Sequence, residues 1–217
     1  MVVLLIISLI LFYMFWFLRN PEINIPKGNC IDYFISPADG KVVEIIEFDE
    51  ETAKIKKGRF GKIMTSTKNV AKEGYIICIA MNIFNVHYQR SPIDGVVKNV
   101  SYKKGKFRNV LKDAKSLRFI DNERNEVLIE SVSKSKFNVK VIQIAGLVAR
   151  RIHWFVSKGQ MLSAGDIIGL IKLGSMVVLI IPEKISSKYV NLLVKEGQKV
   201  KVGETKIAVL GKTNNKK

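Results

Sequence analysis

At 217 residues the chain is long enough for one domain with a sizeable core, and 36 lysines and arginines against 19 aspartates and glutamates leave it a formal charge of +17. Such an excess suits a polyanionic partner, but the basic residues are scattered, without interleaved aromatics or a recognition-helix pattern, so nucleic acid is excluded and an anionic membrane surface is favoured. Two cysteines, Cys30 and Cys78, are too few and too unpatterned for a zinc site or a disulfide framework, and they fit a reducing compartment.

Residues 2–18 form an apolar run in which only Ser8 and the Tyr13 hydroxyl are polar, closing in Phe15-Trp16-Phe17-Leu18-Arg19. A run of that length sits at the lower edge of what spans a bilayer, about 17 to 25 residues, and aromatics followed by arginine suit the interface. Neither a basic start nor a small-residue cleavage site is present, so the segment is expected to be a retained anchor over residues 1–19, with the body on the cytoplasmic side. Pro21 and Pro26 then bracket a short extended linker.

From there the pattern turns to β. Ser36-Pro37-Ala38-Asp39-Gly40 reads as a turn feeding a strand, and Ser91-Pro92-Ile93-Asp94-Gly95 repeats it. A second echo pairs Gly159-Gln160 through Gly165-Asp166 with Gly197-Gln198 through Gly203-Glu204, each followed by a short apolar strand. Further strands are expected at 76–83 and 127–130, with an apolar run over 139–151 and a frayed tail at 213–217. The fold class expected is mainly β with some α: a pseudo-symmetric core resembling the barrel-sandwich hybrid of biotinyl and lipoyl domains, behind an N-terminal apolar membrane helix. The modifiable lysine of those carrier domains has no counterpart here.

The chain contains one Gly-Ser dipeptide, Gly174-Ser175, ahead of the apolar run 176–182. Such a bond is often only a tight turn. It also has a chemical liability, because glycine tolerates strained angles and leaves its carbonyl open to the serine hydroxyl. An N-to-O acyl shift followed by β-elimination would break the chain there and leave dehydroalanine, which hydrolyses to a pyruvoyl group made from Ser175. Of the two histidines, His87 follows an expected strand and precedes an Arg-Ser-Pro turn, where site residues collect, whereas His153 follows two arginines on an expected solvated or interfacial face. Asp39 is a candidate to orient a histidine, although aspartate before glycine is also ordinary turn chemistry.

In order along the chain, Phe17-Leu18-Arg19-Asn20-Pro21-Glu22, Ser36-Pro37-Ala38-Asp39-Gly40-Lys41-Val42, Phe84-Asn85-Val86-His87-Tyr88-Gln89-Arg90-Ser91-Pro92, Asn122-Glu123-Arg124, Ile144-Ala145-Gly146-Leu147-Val148-Ala149-Arg150-Arg151 and Leu173-Gly174-Ser175 resemble the short, single-anchor phosphatidylserine decarboxylases, a type that includes archaetidylserine decarboxylase. Asn85 stands where that family often has aspartate, Gln89 where it often has asparagine, and Met176 where threonine or arginine is common.

The resemblance implies a zymogen that cleaves itself at Gly174-Ser175 into chains 1–174 and 175–217, with residues 20–217 as the decarboxylase domain. It further implies an Asp39, His87, Ser175 triad for that step, a covalent pyruvoyl cofactor from Ser175 and no metal. The expected partners are a serine phospholipid substrate, the cell membrane and, for each cleaved chain, its counterpart in a heterodimer, with further association of copies left open. The alternatives are a membrane-tethered carrier or assembly module without catalysis and a membrane-bound Ser-His-Asp hydrolase; for the latter the Gly-x-Ser-x-Gly elbow is missing.

Overall fold

In a computed structural model the described residues are 1–27, 32–49, 67–107, 121–146, 151–172 and 175–212. Cys30, Gly174, the 147–150 stretch and the tail expected at 213–217 lie outside them. The chain begins with α1 (Val2–Leu11), which continues in π-helical geometry over Phe12–Phe17. Ten residues of α-helix rise about 15 Å. Among the described residues no helix is long and apolar enough to cross a membrane.

The body is β. Its strands are β1 (Tyr33–Ile35), β2 (Gly40–Asp49), β3 (Glu73–Ala80), β4 (Tyr88–Arg90) and β5 (Gly95–Lys103). There follow β6 (Arg124–Ser131), β7 (Asn138–Ile144), β8 (Arg151–Trp154), β9 (Met161–Leu162) and β10 (Ile167–Lys172). The last are β11 (Met176–Pro182), β12 (Lys184–Ile185), β13 (Lys188–Leu192), β14 (Lys199–Val200) and β15 (Lys206–Gly211). Among the described residues these form three antiparallel sheets, ordered β14-β2-β3-β11-β7-β6-β5-β9, β1-β15-β13-β12 and β4-β10-β8. The strand expected at 76–83 therefore starts earlier and ends at Ala80, and the one at 127–130 is longer at both ends.

The strand β11 explains its own composition. It is buried along its whole length between β3 and β7, and a strand covered on both faces needs apolar residues at every position rather than at alternate ones. Val177, Leu179 and Ile181 enter the main core, where they meet Ile77, Ile79, Val139 and Val141. Met176, Val178 and Ile180 point the other way, into a second cluster with Phe48, Ile76, Cys78, Ile142 and Ile144. Burial pushes the Cys78 thiol far up, with Glu44 and Glu196 adding to the effect, so it serves as a small apolar residue.

The two sequence echoes make matching hydrogen bonds. Ser36 Oγ donates to Ala38 O and Ser91 Oγ to Ile93 O, both at 2.7 Å. The nitrogen of Gly203 donates to Ser36 O at 2.8 Å and that of Gly165 to Ser91 O at 2.9 Å. Both glycines take positive φ, 73° and 90°, which side-chain-bearing residues rarely adopt. The two Ser-Pro turns also bond reciprocally, Ile35 N to Pro92 O at 3.1 Å and Arg90 N to Pro37 O at 3.0 Å.

On the second face of the large sheet Glu126 accepts from Arg124 Nε at 2.9 Å and lies 3.0 Å from Lys103 Nζ and 3.7 Å from Lys140 Nζ. Burial alone would raise the Glu126 carboxyl, but bonds from Arg124 and Lys103 and the charge of Lys140 hold it below the usual carboxylate range. Removing this shared carboxylate leaves three cations facing one another. Glu126→Ala should therefore lower the unfolding free energy by about 3–5 kcal/mol, read as a fall in the urea midpoint at unchanged slope; a midpoint equal to that of the parent chain would show that the cations do not depend on it.

Candidate active site

Ser175 precedes β11 directly. Its carbonyl accepts from Met81 N at 2.9 Å, one step beyond the Met176–Ala80 pair, so the ladder between β3 and β11 fixes its backbone. The residue is fully buried. Its hydroxyl donates to a poor partner, the Met81 thioether, at 3.7 Å, sulfur being a weak acceptor. Gly174, the other side of the expected scissile bond, lies outside the described residues.

His87 stands just before β4 and is also fully buried, with no hydrogen-bond partner for either Nδ1 or Nε2. Burial drives its pKa down to about 4. Among the weaker influences the nearby Asn85 backbone, which falls short of hydrogen-bond geometry, opposes that shift, Arg19 adds to it and Asp39 opposes it. The imidazole is thus neutral at pH 7, with both nitrogens bare, one able to accept a proton.

Asp39, half-buried in the turn ahead of β2, aims its carboxylate at the backbone leading into His87. Oδ2 accepts from Val86 N at 3.0 Å, and from Asn85 Nδ2 at the outer limit of 3.5 Å; Oδ1 accepts from Val202 N at 3.3 Å. In this state the carboxylate holds the peptide before His87, and no hydrogen bond joins it to the ring. Asn85 accepts on Oδ1 from Asn82 N at 2.8 Å. His153 is exposed on β8, opposite Leu170.

A ladder of buried amides supports His87 from below. Asn125 Nδ2 donates to Gln143 Oε1 at 3.3 Å, Gln143 Nε2 to Gln89 Oε1 at 2.7 Å, and Gln89 Nε2 to His87 O at 2.8 Å. Gln89 Nε2 also lies 3.8 Å from Met81 Sδ, the atom that meets Ser175 Oγ. The His87 carbonyl accepts in addition from Ile171 N at 3.1 Å. Sequence reasoning noticed Gln89 only as a departure and missed Met81, Gln143 and Asn125. The signal was faint: Asn125 and Gln143 are polar residues at otherwise apolar strand positions, which asks for buried partners. Asn122, of the Asn122-Glu123-Arg124 motif, donates from Nδ2 to Ala145 O at 2.7 Å, and Arg124 belongs to the Glu126 cluster.

The His87 pKa lies below the unfolded value near 6.5. Stability held by the neutral ring is therefore complete above about pH 6.5 and is lost as the pH falls toward 4, because the unfolded chain binds the proton first. His87→Gln should narrow the gap between the urea midpoints measured at pH 7 and pH 4.5; an unchanged gap would mean that the ring is not buried neutral.

The chain matches the family model described as phosphatidylserine decarboxylase over residues 10–208. It is 37% identical over 190 residues to a phosphatidylserine decarboxylase proenzyme of Syntrophus aciditrophicus, covering 88% of this chain and 76% of that one. It is 36% identical over 203 residues to the proenzyme of the same name from Burkholderia lata, with 93% and 81% covered, and 36% identical over 204 residues to that from Carboxydothermus hydrogenoformans, with 94% and 82% covered.

Proposed function

Because the chain belongs to the phosphatidylserine decarboxylase family and is thus a decarboxylase made as a proenzyme, we propose that it cleaves itself at Gly174-Ser175 and uses a pyruvoyl group formed from Ser175 to convert a serine phospholipid into its ethanolamine counterpart and CO2. Phosphatidylserine and archaetidylserine are both within this reading. Family membership removes the non-catalytic carrier. The observation that carries the proposal is the pair of buried, under-bonded groups: a serine hydroxyl whose partner among the described residues is the Met81 thioether, and an imidazole with two unpartnered nitrogens whose own backbone carbonyl is linked to Met81 through Gln89.

Self-cleavage needs a base for Ser175 and a shielded carbonyl. Neutral His87 is the base in this reading: it takes the Oγ proton as Oγ bonds to the Gly174 carbonyl carbon, and the Gly174–Ser175 amide becomes an ester. Loss of the Ser175 α-proton then expels the Gly174 carboxylate, ending the chain 1–174 and leaving dehydroalanine at 175, whose imine tautomer takes up water and releases ammonia to give the pyruvoyl carbonyl. Asp39 acts through the Val86 peptide and through its charge, which favours the transient imidazolium.

The site suits a pyruvoyl group in that Ser175 is fully buried, which keeps a carbonyl formed there dry. That carbonyl supplies an electron sink when the substrate carboxylate leaves as CO2. What the chain's own residues add is exclusion of water by Met81, Met176 and the core around β11, and the His87 imidazole, through which a proton would pass to replace the lost carboxylate.

Residues 1–19 are the membrane anchor in this reading and residues 20–217 the decarboxylase domain, facing the cytoplasm. Support comes from α1, exposed and apolar, from the exposed Phe15 and Trp16, and from exposed Ile83 and Phe84 a few residues before His87. A lipid head group would thus reach the site from the surface that carries the apolar side chains.

Ser175→Ala cannot form the ester, so it should run as one chain on a denaturing gel and give a single intact mass, while His153→Ala should give fragments 1–174 and 175–217. In the cleaved enzyme cyanoborohydride with a serine phospholipid should tag the 175–217 fragment; splitting of Ser175→Ala, or a tag on 1–174 alone, would refute the scheme. Membrane attachment should have two parts. A chain beginning at Asn20 should leave anionic vesicles as salt rises, because surface cations add about 1 kcal/mol each within a Debye length, whereas the full chain should withstand the same wash. Release of the full chain by salt alone would remove the anchor.

A further inference from the structure

Residues 1–19 read as a tether outside the catalytic domain, yet their end forms part of the site wall. Phe17 is 1% exposed, and its ring centroid lies 3.9 Å from that of the His87 imidazole with the planes 32° apart. Most aromatic pairs sit about 4.5–7 Å apart, so this ring lies tightly over the imidazole. Tyr13 backs it, stacked on Phe17 at 5.4 Å and 10°.

The segment is fastened on both sides of His87. Arg19 donates from Nη1 to Trp16 O at 2.7 Å and from Nη2 to Phe84 O at 2.6 Å, tying the helix end to a residue just before His87. Its guanidinium also lies 4.5 Å from the Trp16 ring centroid. Asn20 Oδ1 accepts from Arg90 Nη2 at 2.7 Å, a residue just after His87. Further along, Ile23 and Ile25 pack onto Gly165, and Ile23 also onto Gly203, at the two symmetric turns.

We propose that Phe17 is a positioning residue of this decarboxylase: held by Arg19 and Asn20 at either side of His87, it covers the imidazole, excludes water from it and keeps it in the neutral form that accepts the Ser175 proton. The proposal rests on the reading of His87 as the base. The charged groups acting on the ring are Arg19 from the N-terminal segment and Asp39 from the turn before β2, and their effects oppose each other. Desolvation, which Phe17 supplies in part, is the larger influence.

The test uses the full chain in detergent. With Ser175→Ala to keep it in one piece, the His87 imidazole is titrated by NMR, His153→Ala serving to assign its signal. Phe17→Ala should move the His87 midpoint from near 4 up toward the ordinary 6.5. Phe17→Leu, which keeps an apolar cover, should leave it low. Arg19→Lys keeps the charge but loses the planar fork, and should move the midpoint the same way by less.

With Ser175 intact, self-cleavage of Phe17→Ala should be about tenfold slower at pH 5.5 than at pH 7.5, as a base of ordinary histidine pKa requires, while the parent chain should change less than about twofold. If Phe17→Ala does not fold, the contrast between Phe17→Leu and Arg19→Lys carries the same information. Unmoved titration in both Phe17→Ala and Arg19→Lys overturns the proposal. A moved titration with an unmoved cleavage profile overturns instead the assignment of His87 as base.

Discussion

The reciprocal hydrogen bonds between the two Ser-Pro turns, Ile35 N to Pro92 O and Arg90 N to Pro37 O, are the constraint on which the site depends. They lock residues 35–39 against 90–92, segments far apart in sequence. Once the turns are crossed in this way, the Asp39 carboxylate reaches the Val86 amide and the peptide into His87 has one orientation. Each half-unit supplies backbone donors the other needs, so neither turn is complete alone.

The polar groups around the centre fall into two classes with opposite physics. The amides of Asn125, Gln143 and Gln89 are buried and bonded in series, ending on the His87 carbonyl; a satisfied buried network of this kind rigidifies its surroundings. The imidazole above it and the Ser175 hydroxyl are buried and nearly unbonded. A buried polar atom left without a partner costs about 1–3 kcal/mol, and such groups concentrate where chemistry needs them. The rigid set holds the reactive set in place.

Much of the fold was legible because it repeats. The Ser-Pro-x-Asp-Gly and Gly-Gln echoes announced two like halves, and the structure gives them matching bonds and glycine conformations. The unbroken apolar run 176–182 announced a strand, because covering on two faces removes alternation. Within the site, Ser175 and His87 could be singled out by chemical type. The amide ladder could not, since Gln and Asn carry no spacing rule and their pairing depends on which strands become neighbours. Met81 looked like core filler, and Phe17 was absorbed into an apolar run whose composition explains a membrane segment equally well. That one ring of that run turns inward onto a histidine is a fact of tertiary packing. Asp39 illustrates the same limit: its type and its turn could be read from the sequence, but not that its carboxylate accepts from the Val86 amide.

The position of β11 has a consequence for the cleaved protein of the proposed scheme. The fragment beginning at Ser175 would contribute the strand lying between β3 and β7, together with β14 alongside β2 and β15 alongside β1. It is threaded through the middle of its partner rather than laid against an edge. Separating the two pieces would mean opening the large sheet along β11, so a protein cleaved by that scheme would keep much of the kinetic persistence of the unbroken one. Subunits joined in this way do not trade places between molecules, and isolated pieces reassemble only by folding together.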